Sequence, residues 1–117
     1  MKKIFYLSTC TTCLRIIKEL NLSSEFETQD IKSEPISEEQ LDYLRDLAGS
    51  YECLFSKRAI KYREWNLKEK QLDESQIKSY LLKEYTFLKR PVLVADDEIF
   101  IGNSKKTVTA AKSFLHG

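Results

Sequence analysis

The sequence predicts an α/β fold, a mixed four-stranded sheet with helices on its faces and a helical block inserted between the two halves of the sheet. Three observations carry this. The opening stretch reads as strand, helix and strand within about thirty residues. The last third shifts to two short β-runs joined by a two-residue turn, then returns to helix. Between them the apolar residues recur only at helical spacing.

The elements follow in order. Lys2 to Leu7 is apolar on both faces, which predicts a central and parallel strand, broken at Ser8-Thr9. From Thr11 to about Leu20, Cys13, Ile16, Ile17 and Leu20 share one helical face, with Arg15, Lys18 and Glu19 opposite. Glu25 to Ile31 alternates weakly and reads as a second strand, completing a right-handed crossover. Ser37 caps the next helix, with Gln40 at the capping-box position. That helix is expected to bury Leu41, Leu44 and Leu47, to run to Ala48 and to stop at Gly49. A short helix over Tyr51 to Phe55 follows. Asp73 caps another that ends near Glu84, with Ile77, Leu81 and either Tyr80 or Leu82 facing inward. Pro91 to Ala95 and Glu98 to Ile101 form a hairpin around Asp96-Asp97. After the Gly102-Asn103 turn, Ser104 caps a last helix to about Phe114. This is the element order of a thioredoxin-like fold carrying a helical insertion.

The bulk properties narrow the function. A chain of 117 residues fits one core, and 19 basic against 18 acidic residues give no sequence-independent grip on nucleic acid. Met1-Lys2-Lys3 could open a leader, but the apolar run Ile4 to Leu7 is too short for a signal peptide or a membrane span. A cytoplasmic protein is expected. Three cysteines do not make a secreted disulfide framework; in a reducing compartment they are catalytic, redox-sensing or metal-binding more often than structural.

Cys10-Thr11-Thr12-Cys13 sits where the first strand hands over to the first helix. Free backbone N–H groups and the helix macrodipole there favour an anion, so the Cys10 thiol should be unusually acidic. Ser8, Thr9, Thr11 and Thr12 add hydroxyls, and no carboxylate lies between Met1 and Lys18 in the chain. Cys13 lies one turn on, which makes Cys10 the attacking thiol and Cys13 the resolving one. Two other readings compete: a pair of inert turn cysteines, and a metal site. A metal site needs four ligands, and only Cys53 and His116 remain. Position at a strand-to-helix turn ahead of a crossover unit favours redox chemistry. Cys53, between Glu52 and Leu54-Phe55, is expected to be buried, and His116 to be exposed.

Lys89-Arg90-Pro91 precedes the apolar run Val92-Leu93-Val94, where a proline can simply start a strand. In thioredoxin-like folds a cis-proline at this place packs beside the active cysteine. Arg90 would then aim its guanidinium at the Cys10 pocket, able to bind an oxyanion or carboxylate and to favour a thiolate.

Five segments occur in a specific order: Ser8-Thr9-Cys10-Thr11-Thr12-Cys13, Ser33-Glu34-Pro35-Ile36-Ser37, Phe55-Ser56-Lys57-Arg58, Tyr62-Arg63-Glu64-Trp65-Asn66-Leu67 and Leu88-Lys89-Arg90-Pro91-Val92-Leu93-Val94. Through them the chain resembles the arsenate reductase (ArsC)/Spx family over nearly its whole length. The resemblance implies a single domain over residues 1–117, with thioredoxin-like parts at about 1–33 and 86–117 and an insertion at about 34–85. It implies Cys10, Cys13 and Arg90 as catalytic residues, and Thr11, Thr12, Arg58 and Pro91 at the substrate site. The reductase branch implies attack of Cys10 on arsenate, an oxyanion held by Arg90, and external glutathione and glutaredoxin as reductant; it has serine where Cys13 stands. The Spx branch implies a CxxC disulfide switch and the RNA polymerase α subunit as partner.

The chain departs from both branches at named positions. Ser56 and Asn103 stand where the reductases place two further arginines, while Arg58 follows the Spx pattern. Leu14 replaces the arginine that both branches place after the fourth motif position, and Arg15 comes one later. The chain stops at Gly117, without the C-terminal extension of the Spx regulators. Two functions remain in view. One is a thiol-dependent oxidoreductase acting on arsenate, a disulfide or a peroxide product, reset by thioredoxin or glutathione. The other is a redox-switched binding module. No bound cofactor, metal, nucleic acid or membrane is expected in either.

Overall fold

The computed structural model describes residues 1–117. The chain divides into two compact units, one of Met1–Glu34 with Arg90–Gly117, the other of Pro35–Lys89.

In the first unit, strands β1 (Lys2–Tyr6), β2 (Glu27–Asp30), β3 (Val92–Ala95) and β4 (Glu98–Ile101) form one sheet in the order β2-β1-β3-β4. The doubly apolar first strand is central, as its pattern predicts. It is parallel only to β2, with Phe5 opposite Gln29, and antiparallel to β3, with Phe5 opposite Val92. The expectation of a parallel strand is therefore corrected to a mixed one. The pattern reports burial on both faces, not the direction of each neighbour. All four residues of β3 are buried for the same reason.

Asp96 and Asp97 turn β3 into β4, and Asp96 takes the left-handed conformation (φ 57°) that a tight hairpin requires and that aspartate tolerates. Helices α1 (Thr11–Leu20) and α5 (Lys105–His116) close one side of the core. There Ile16 and Leu20 of α1 meet Val108 and Ala111 of α5 over Ile4 and Leu93 of the sheet. The thioredoxin-like arrangement is thus present in this unit.

The second unit holds α2 (Glu38–Ala48), α3 (Ile60–Glu64) and α4 (Glu74–Lys83), with short 3-10 turns at Glu52–Leu54, Leu67–Glu69 and Tyr85–Phe87. The box expected at Ser37/Gln40 forms, and Asp73 caps α4 as expected, in a second box with Gln76; in each a cap side chain accepts from the N3 backbone N–H and the N3 side chain returns to the cap. Gly49 ends α2 at φ 100°, a conformation that suits glycine. Leu41 and Leu44 are buried and Leu47 is half-buried. Tyr80, not Leu82, takes the inward place on α4. Its ring packs on Trp65 and Phe87, while Leu82 is exposed. Phe55 stacks on Phe87 at 5.1 Å between centroids and meets Tyr62 edge-on, so the Phe55 and Tyr62-to-Leu67 segments build one aromatic core.

Candidate functional site

The site is built where β1 ends and α1 begins. The turn from Leu7 to Cys10 is closed by the Cys10 N–H donating to Leu7 O at 3.0 Å. Cys10 is then the N-cap of α1, extended at φ −97° and ψ 108°, with no acidic residue in the first turn. Its own carbonyl accepts the first helical bond, from Leu14 N–H at 3.1 Å. The Cys10 side chain is half-buried, and Cys13, one turn on, faces inward and is inaccessible to solvent. No disulfide joins them.

The two thiols are pushed in opposite directions. Partial burial acts to raise the Cys10 thiol, but it is outweighed by the backbone N–H and the thiol of Cys13, the positive charge of Arg90 and the backbone N–H of Thr12. The balance holds Cys10 below its ordinary value. Cys13 is pushed up to about 11, mainly by burial, then by the hydrogen bond and the charge of Cys10; a backbone bond at Leu7 and the Arg90 charge oppose this. A sulfur that ionises first therefore lies in hydrogen-bond contact with one that keeps its proton.

Arg90 and Pro91 arrive from the start of β3. The Arg90–Pro91 peptide is cis, Pro91 is buried, and the Pro91 carbonyl accepts from Gly102 N–H at 2.9 Å. Arg90 is half-buried, its Nε shielded from solvent, and its charge acts on both sulfurs. The structure thus brings together Cys10, Cys13, Thr12 and Arg90. Thr11 is exposed at the first turn of α1. Arg58 belongs to the other unit, on the exposed segment before α3, where its N–H donates to Ser56 Oγ at 3.3 Å.

Two expectations are corrected here. Ser8 does not offer its hydroxyl to Cys10. Its Oγ donates to Asp30 Oδ2 at 2.6 Å, and its N–H donates to Asp30 Oδ1 at 3.2 Å. The chain around Cys10 has no carboxylate, but folding delivers one from the end of β2. The only local sign of it is that an aspartate ends a strand, where its side chain can bond Lys32 N–H two residues on. Cys53 is exposed rather than buried. In a 3-10 turn residues three apart share a face, so Tyr51 and Leu54 point inward and Cys53 is turned out, its Sγ accepting from Ser50 Oγ at 3.2 Å. His116 is exposed as expected, with Nε2 lying 2.7 Å from Leu20 O at the end of α1.

Comparison with known proteins agrees with this architecture. No curated protein matches the chain significantly. Among solved structures, an ArsC family related protein from Bacteroides fragilis has a TM-score of 0.78 at 21% identity, covering 94% of this chain and 96% of that one. An arsenate reductase from Vibrio cholerae superposes with a TM-score of 0.74 at 16% identity, covering 94% and 96%. A Staphylococcus aureus protein gives 0.73 at 26% identity, covering 94% and 97%. These likenesses show the fold. The ArsC family profile matches residues 5–111, from β1 through most of α5. The chain belongs to the ArsC family, a family of thiol-dependent redox proteins.

Proposed function

We propose that the protein is a thiol–disulfide oxidoreductase in which Cys10 is the nucleophile and Cys13 the resolving thiol. The observation that carries this is the placement of Cys10 at the N-cap of α1 with Cys13 buried one turn on, an arrangement in which Cys10 is held low and Cys13 is raised to about 11. The Cys10 thiolate attacks one sulfur of a substrate disulfide, and the S–S bond breaks to release one thiolate. Cys13 then loses its proton and attacks Cys10 Sγ, expelling the second thiolate and leaving a Cys10–Cys13 disulfide. Two electrons pass to the substrate. Thioredoxin, or glutathione with glutaredoxin, supplies two electrons to restore the dithiol.

The same pair can serve arsenate. Cys10 would displace water from arsenic, with Arg90 stabilising the anion. Attack of Cys13 on Cys10 Sγ would release arsenite. Thr11, Thr12 and Pro91 would shape the pocket in either case. Turnover of arsenate is measured with each reductant on wild type, Cys10→Ser and Cys13→Ser. Turnover by wild type but by neither variant supports the oxyanion substrate. Absence of turnover with both reductants confines the protein to disulfide or peroxide-derived substrates.

A second reading is favoured by Arg58, which follows the Spx pattern, and by Ser56 and Asn103 standing in place of arginines. Here the Cys10–Cys13 disulfide would alter a surface that engages the α subunit of RNA polymerase in the cytoplasm. Capture of the polymerase by one redox state alone supports it. Equal capture, or none, removes it.

A further inference from the structure

We propose that Asp30 is a positioning residue for the Cys10 thiol, holding through Ser8 the turn that carries Cys10 onto the N-terminus of α1. This rests on the reading of Cys10 as nucleophile. Asp30 ends β2 and stands beside the end of β1, opposite Tyr6 in the parallel register. Its carboxylate accepts four bonds. Two come from Ser8, at 3.2 Å from the N–H and 2.6 Å from the hydroxyl, and two from its own loop, at Lys32 N–H and Ser33 Oγ, both 3.2 Å.

Ser8 is the second residue of the Leu7–Cys10 turn, which is closed by a backbone bond at its far end. The turn is thus fixed at Ser8 from the sheet and at Cys10 from its own backbone. Its freedom would otherwise let Cys10 Sγ swing away from the N–H groups of Thr12 and Cys13. A carboxylate acting through charge alone would do the opposite, since a nearby negative charge disfavours a thiolate. The two roles therefore differ in sign.

The test measures the pH midpoint of Cys10 alkylation, read by peptide mass spectrometry, in a Cys53→Ala background with the fold checked by circular dichroism. Asp30→Ala removes both the anchor and the charge. It should raise the midpoint by about one pH unit, about tenfold in the ionisation constant. Asp30→Asn removes the charge but keeps an acceptor for the Ser8 N–H, and should leave the midpoint at or below that of wild type. Ser8→Ala cuts one of the two links and should raise the midpoint by less than Asp30→Ala. Joint lowering by both Asp30 variants, or no change in Asp30→Ala, overturns the proposal. If Asp30→Ala does not fold, an unchanged midpoint in Ser8→Ala overturns it equally. A wild-type midpoint near the free value of about 8.5 would overturn the Cys10 reading as well, whereas a depressed wild-type midpoint with unmoved variants overturns this inference alone.

Discussion

With the exposed third thiol removed by Cys53→Ala, the chain should release thiolate from a chromogenic aryl disulfide in two phases, one for each sulfur of the Cys10–Cys13 pair. The second phase reports Cys13. At pH 7 a thiol with a pKa of about 11 is ionised in about one molecule in 10⁴. When Cys10 has become a mixed disulfide, its charge and its hydrogen bond to Cys13 are gone, and burial, the largest of the raising effects, remains. The resolving thiol in that adduct should therefore lie between the free value of about 8.5 and about 11. The second phase should climb about tenfold per pH unit from pH 7 to about 8.5. The first phase should level off at lower pH, because Cys10 is held below its ordinary value. Cys13→Ser should give the first phase only and trap the mixed disulfide. Stopped-flow absorbance from pH 6 to 10 measures both rates. A second phase that does not change with pH, or that persists in Cys13→Ser, would refute the assignment of Cys13 as resolver.

Three further outcomes are expected. Arg90→Met takes away a positive charge that favours the Cys10 thiolate, so the alkylation midpoint should rise by about half to one pH unit; an unmoved midpoint would show that the charge does not reach the sulfur. Ile16→Ala empties a place that is 1% exposed between α1 and the sheet and should cost about 2–5 kcal/mol in urea unfolding. A loss under about 1 kcal/mol would mean that the core does not need this side chain. Asp73→Ala removes the acceptor for Gln76 N–H at 2.8 Å and should destabilise by about 1 kcal/mol; no shift in the unfolding midpoint would show that the box does not hold α4.

The elements were legible in the sequence wherever the governing interaction is local. Helix α1 begins at Thr11 and ends at Leu20, where the apolar spacing puts it. Both capping boxes join residues three apart, and the Asp96-Asp97 turn joins its strands directly. Helix α3 gave no such signal, for its five residues are too few to set a period and none is buried. It is held among aromatic rings from residues 55 to 87.

By itself the sequence determined that a strand would hand Cys10 to a helix N-terminus with Cys13 one turn behind. A run of adjacent residues sets that geometry, and backbone N–H groups at a helix start need no distant partner. Only the tertiary structure decided what surrounds the sulfurs. Arg90 lies 80 residues from Cys10 in the chain, and its charge counts only because β3 pairs with β1. Asp30 reaches Ser8 across 22 residues because β2 pairs parallel to β1. The same separation of causes explains Cys53, whose apolar neighbours suggested burial until the phase of a single 3-10 turn set it outward. Bonding along the chain is written in spacing and residue type. Electrostatics across the sheet depend on which strands pair and in which direction, and the partners of β1 lie far along the chain.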